Sequence, residues 1–63
     1  VHTGVASKLF RAAARMLRPG GRLWTVYNSP LGYKQELARV VGPTREISRT
    51  PTFTVTVSDA RGN

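Results

Sequence analysis

Apolar residues recur at helical spacing between positions 5 and 17, in the run VASKLFRAAARML. Val5, Leu9, Phe10, Ala13, Met16 and Leu17 form one stripe, which predicts an amphipathic helix buried along that face. The three consecutive alanines add intrinsic helix propensity. Lys8, Arg11, Arg15 and Arg18 recur three or four residues apart on another face, and the last two complement the negative end of the helix dipole. Pro19-Gly20-Gly21 then stops the helix and reverses the chain.

The pattern changes at 22–28, RLWTVYN, which reads as a strand. Leu23, Trp24, Val26 and Tyr27 occupy odd and even positions alike, so neither face is polar. That is the pattern of a strand covered on both sides, as in a parallel sheet flanked by helices. Asn28-Ser29-Pro30 ends it. Residues 31–41, LGYKQELARVV, predict a second amphipathic helix with Tyr33, Leu37, Val40 and Val41 on one face, stopped by Gly42 and Pro43. The remainder predicts a hairpin, with 45–49 as its first arm and Thr50-Pro51 as its bend. In 52–58, TFTVTVS, Phe53, Val55 and Val57 alternate with Thr52, Thr54, Thr56 and Ser58. On this pattern Trp24 and Phe53 are core residues and the hydroxyl side of the last strand is solvated. Residues 59–63 read as a polar tail that frays. The order helix, two-sided strand, helix, hairpin implies an α/β fold and a larger parallel sheet whose other strands are elsewhere.

Length sharpens that expectation. A chain of 63 residues forms one domain at most, and at this size folding buries only about 60% of the unfolded surface. There is no cysteine and a single histidine, His2, so disulfide and zinc frameworks are excluded as staples. No apolar run approaches the roughly 18 residues of a membrane span, and no signal-peptide pattern precedes the first helix. The absence of cysteine fits a cytoplasmic setting without demanding one. Val1 stands at the approach to a helix with no initiator Met, so the chain reads as a piece of something longer.

Charge speaks to partners. Ten Lys and Arg against three acids give +7, and such an excess favours polyanions, because counterion release drives association with nucleic acid. The plainer reading is that balancing acidic residues lie in a missing part. Glu36, Glu46 and Asp59 fall on separate elements, so no carboxylate pair is placed for acid–base work. No Ser/His/Asp set and no phosphate loop is present.

Two stretches carry a family resemblance. LFRAAARMLRPGGRLWTVYN resembles the part of class I S-adenosylmethionine-dependent methyltransferases that runs from a helix, through a Pro-Gly-Gly turn, into the fifth sheet strand. LWTVYNSPLGYKQELARVVGPTREISRTPTFTVTVS resembles the C-terminal end of the methyltransferase small-domain family, whose best-known members are ribosomal RNA guanine-N2 methyltransferases. The resemblance covers residues 2 to 58. It implies a Rossmann-like parent domain, of which 1–63 is the C-terminal portion, with S-adenosyl-L-methionine as cofactor and ribosomal RNA as partner. It implies no metal and no membrane, and it leaves the oligomeric state open. Pro30 stands where family members commonly carry His. The family's Gly-rich cofactor loop and its Asn-Pro-Pro-Phe-type acceptor motif have no counterpart here. Asn28-Ser29-Pro30 is not that motif, since it follows the later strand and has no aromatic after the Pro. The piece alone is therefore expected to be inactive.

Individual residues carry two readings each. Asn28 lies at the carboxyl end of a strand, where α/β folds place ligand crevices, and either lines a pocket for the target base or merely turns the backbone. Tyr33 either stacks on a nucleobase or packs beneath the second helix with Leu37. Lys8, Arg11 and Arg15 form a candidate stripe for the RNA backbone or a solvated helix face. His2 has no partner within reach and no assigned role. A free-standing basic module that binds RNA through its first helix is the rival to the methyltransferase piece.

Overall fold

The computed structural model describes residues 3–61. Its elements are helix α1 (Thr3–Met16), strand β1 (Arg22–Asn28), a 3-10 turn (Ser29–Leu31), helix α2 (Lys34–Val40), and strands β2 (Thr44–Arg49) and β3 (Phe53–Asp59). Val1 and His2, and the residues beyond Arg61, lie outside the described part.

The second helix begins later than 31 for a local reason. Pro30 has no N–H to give, and Gly32 takes a left-handed backbone with φ 62°, so the chain makes one 3-10 turn and breaks before α2 starts. At the other end of α2, Gly42 has φ 155°, and a Cβ built there would sit 1.9 Å from the Asp59 carbonyl oxygen. Only glycine allows α2 to end this close to β3.

The three strands form one sheet in the order β1-β3-β2, and β3 is antiparallel to both neighbours. β1 and β2 therefore run in the same direction without touching. On one edge β1 pairs with β3, antiparallel, and its other edge has no partner among the described residues. The hairpin's second arm inserts between the hairpin's first arm and the earlier strand, which alternation within single strands does not reveal. A bulge interrupts β2 between Glu46 and Ser48.

Both helices lie on one face of this sheet. Phe10, Tyr27, Leu37 and Val41 form the buried core, and Ala6, Ala14, Leu17, Leu23, Tyr33 and Val40 pack around it. On α1 the buried stripe is therefore Ala6, Phe10, Ala14 and Leu17, rotated from the predicted one. Val5, Leu9 and Met16 are exposed. The alanines allow close approach to the core, and the larger apolar side chains fall on the flank.

The sheet's faces are the reverse of the expectation. Residues directly opposite across an antiparallel pair share a face, so Thr54, Thr56 and Ser58 lie with Tyr27, Thr25 and Leu23. That face is the one under the helices, and Thr54, Thr56 and Ser58 are at most 2% exposed. The predicted core residues Trp24 and Phe53 lie on the open side, 59% and 52% exposed. Val57, between Trp24 and Arg45 in register, is the one apolar residue of that side that is fully covered. Alternation divides a strand into two faces but does not say which one the helices cover.

Buried hydroxyls need partners. Ser29 Oγ and Thr54 Oγ1 lie 2.7 Å apart, and Thr44 Oγ1 and Ser58 Oγ 2.8 Å apart. Thr56 Oγ1 has none. The first part of the expected frayed tail is also tied down. Asp59 N–H donates to the Pro43 carbonyl at 2.8 Å, Ala60 N–H to Gly21 at 2.8 Å, and the Arg61 guanidinium to the carbonyls of Ala38 and Arg39 at the end of α2.

These environments separate two substitutions of the same chemistry. Thr56→Val removes a hydroxyl that has lost water and gained nothing, and is expected to raise unfolding free energy by about 1 kcal/mol. Thr54→Val breaks the bond to Ser29 and is expected to lower it by about 1–3 kcal/mol. Urea titrations of both variants against the parent chain check the opposite signs.

Candidate functional site

The carboxyl end of β1 is held in place by the residue after it. Asn28 is exposed, whereas Ser29 is 8% exposed and anchors three bonds to the hairpin. Its N–H donates to the Thr52 carbonyl at 2.8 Å, and its Oγ donates to the Thr50 carbonyl at 2.7 Å besides meeting Thr54. Thr50 in turn organises the bend: its Oγ1 accepts from the N–H of Thr52 and of Phe53, at 3.2 and 2.9 Å. The strand exit and the β2–β3 bend are thus one hydrogen-bonded unit.

Gly32 then turns Tyr33 inward. The Tyr33 ring centroid lies 5.5 Å from that of Phe10, edge-on at 79°, and 5.5 Å from that of Tyr27 at 58°. Such offset and edge contacts are the favourable ones for aromatic quadrupoles. Tyr33 also lines a surface cavity of about 200 Å³ with Leu31, Gly32, Gln35 and Glu36. Tyr33 thus packs its ring against the core and also belongs to the cavity lining. Asn28 is not among the residues lining that cavity. Burial raises the pKa of the Tyr27 hydroxyl, and the nearby Glu46 carboxylate adds to the rise.

Glu36 marks the cavity's polar wall. Ser7 Oγ donates to Glu36 Oε2, and the Arg39 guanidinium reaches the same oxygen at 2.5 Å. The Ser7 hydrogen bond, followed by that of Arg39, holds the Glu36 pKa below the ordinary carboxylate value, and Arg11 contributes a smaller attraction. This cluster ties α1 to the first turn of α2. The i,i+3 spacing of Glu36 and Arg39 was available in the sequence, but the partner on α1 was not.

Lys8, Arg11 and Arg15 are all exposed, and none of them takes part in an ion pair among the described residues, whose pairs use Arg22, Arg39 and Arg49. None of Lys8, Arg11 and Arg15 is among the residues that line the cavity beside Tyr33. Arg11 lies toward Glu36, whereas Arg15 and Arg61 line a separate cavity of about 480 Å³ where the two helices end. His2 lies outside the described residues. Among the described residues no group of His, Cys, Asp or Glu is arranged to hold a metal ion, and no helix is long and apolar enough to cross a membrane.

A family model described as "Methyltransferase small domain" matches residues 1–57. The chain is 45% identical over 51 residues to "Ribosomal RNA large subunit methyltransferase G" of Magnetococcus marinus, a match covering 81% of this chain and 14% of that protein. The protein of the same name from Streptomyces coelicolor is 42% identical over 50 residues, covering 79% of this chain and 13% of the relative. That from Stutzerimonas stutzeri is 39% identical over 51 residues, covering 81% and 14%. The chain spans about one seventh of the length of these relatives.

The Glu36 cluster has a pH signature. A carboxyl whose folded pKa is depressed adds stability that is present above its unfolded pKa and is lost as pH falls through the lower, folded value. Stability of the parent chain is expected to fall on acidification from about pH 4.5 downward, 4.5 being the ordinary value for this group. Ser7→Ala is expected to shrink that acid-dependent loss. Urea midpoints measured against pH for both chains check it, and identical profiles would contradict the cluster.

Proposed function

Because the chain belongs to the methyltransferase small-domain family, we propose that it is the C-terminal portion of an S-adenosylmethionine-dependent methyltransferase that modifies guanine N2 in ribosomal RNA. The observation that carries this reading is the identity of 45% to a ribosomal RNA methyltransferase over most of the chain. In this account β1, α2 and the hairpin close the parent's sheet. This reading takes Asn28 and Tyr33 as residues of the target-base pocket and Lys8, Arg11 and Arg15 as contacts to the RNA backbone, which the exposed side chains of these three on α1 support.

The cofactor would supply the methyl group, but the residues present do not fit it. Ribose hydroxyls are held in nucleotide sites by a free acidic side chain. Here Glu36 is engaged by Ser7 and Arg39, Glu46 lies 3.6 Å from Arg49, and Asp59 lies 3.3 Å from Arg22. The larger cavity is walled by two arginines and apolar side chains. β1 leads into Asn-Ser-Pro and not a Gly-rich loop. The chain on its own is therefore inert in this reading, and what it contributes to methylation is position. Holding a nucleophile in line is itself a large part of the acceleration available to such a transfer.

The rival reading, a free-standing basic RNA-binding module, draws on the exposed Lys8, Arg11 and Arg15. Two measurements separate the readings. Calorimetry of the chain with S-adenosylmethionine is expected to give no heat of binding, and micromolar binding would contradict the inert-piece account. RNA binding followed against salt is expected to be weak for the chain alone. If it is strong, Arg11→Gln should reduce the slope of log K against log salt by about 0.7–0.9, and the rival prevails.

A further inference from the structure

The larger cavity, about 480 Å³, has no part in the methyl transfer proposed above. Its size falls in the range of roughly 300–1,000 Å³ usual for small-molecule sites. Three segments meet around it and are bonded to one another through the backbone. Ala60 N–H donates to the Gly21 carbonyl at 2.8 Å, Gly20 N–H to that of Ala60 at 3.4 Å, and Arg61 N–H to that of Val41 at 3.3 Å. The turn after α1, the end of α2 and the chain beyond β3 thus hold one shape.

Two cations, Arg15 and Arg61, line this cavity. Arg61 is fixed in place, because its Nη1 and Nη2 donate to the carbonyls of Arg39 and Ala38 at 3.0 and 2.7 Å. A guanidinium carries more N–H donors than those bonds use, so Arg61 is held while donors remain to be given. Arg15 is exposed and takes part in no ion pair among the described residues. Asp59, the acidic residue at the end of β3, is paired with Arg22 at 3.3 Å. Arg18 adds an exposed cation next to Pro19, which also lines the cavity. The lining residues Ala14, Leu17 and Val40 are apolar and pack on the core. A cleft with charge of one sign and apolar walls concentrates counter-ions, and the planar guanidinium fork matches phosphate oxygens.

We propose that this cavity binds the phosphate of a nucleotide, with Arg15 and Arg61 on the phosphate oxygens and the sugar or base against Leu17 and Val40. Arg15 then acts with Arg61, apart from Lys8 and Arg11. The site needs neither S-adenosylmethionine nor methyl transfer, so its failure leaves the proposed function standing. A free nucleotide and a nucleotide within an RNA strand offer the same chemistry.

Nuclear magnetic resonance of the isotope-labelled chain at low salt tests this, with uridine monophosphate, a short oligouridylate and uridine as probes. The amide signals of Gly20, Gly21, Ala60 and Arg61 are expected to move together with either phosphate-bearing probe and to stay still with uridine. Saturation by the oligouridylate at the lower nucleotide concentration assigns the site to an RNA strand, and an equal response assigns it to a free nucleotide. Arg15→Gln and Arg61→Gln are each expected to weaken binding by about tenfold, the loss of one hydrogen bond to a charged group. Arg45→Gln, which removes the same charge from β2, is expected to leave it unchanged. Because Arg61 also holds the end of α2, the spread of amide signals shows whether its variant folds. Arg15→Gln decides the matter if it does not. Unmoved cavity signals with both phosphate probes, an equal response to uridine, equal weakening by Arg45→Gln, or movement confined to Lys8 and Arg11 would each overturn the proposal.

Discussion

Strand β3 lies between β1 and β2, and both depend on its backbone for their pairing. Its inner face adds a second constraint, because Thr54, Thr56 and Ser58 are buried hydroxyls in a protein too small to waste them. Two of the three are satisfied from the flanking segments, Thr54 by Ser29 and Ser58 by Thr44. Each bond locks a neighbour's register to β3 at one point. The hydroxyl face therefore acts as a specifying layer, whereas the aromatic and aliphatic side chains that usually serve that purpose sit partly on the other side.

That arrangement sets the position of the candidate site. Ser29 fixes the end of β1 against the hairpin bend, Pro30 and Gly32 force a short turn, and Tyr33 arrives against Phe10 and Tyr27. The ring is fixed by packing, and Tyr33 shares a cavity with Glu36, whose charged form is favoured by Ser7 and Arg39. Anything that binds there meets rigid groups and does not have to order them first. The second cavity, with Arg15 and Arg61, is at the opposite end of the helices. Of the basic residues of α1, Arg11 acts on Glu36 and Arg15 lines the second cavity.

Element types and boundaries were largely legible, since helical spacing, Pro-Gly-Gly and strict alternation are local signals. Tyr33 against the core was legible too, from the face it shares with Leu37. What failed was tertiary. Alternation in TFTVTVS made Phe53 look inward because apolar residues usually are, yet the helices cover the threonine side. Trp24 failed for the same reason, as a two-sided strand has only one covered face in a chain with two helices. The antiparallel neighbour of β1 depends on where the hairpin inserts, and no residue of β1 encodes that. Ser29 and Ser7 were invisible because their partners lie 25 and 29 residues away. The family resemblance, by contrast, was carried by short segments such as LRPGG and LGY that keep their spacing whatever covers the sheet.

The central claim is that the helices cover the hydroxyl face of this sheet and leave its apolar face open in the chain. Trp24 is the chain's single tryptophan, which makes it a reporter placed on that face. Acrylamide quenching of its fluorescence tests the claim most directly. The account predicts emission that is readily quenched in the folded chain. Emission already shielded in the monomeric chain would place Trp24 in the core and contradict it.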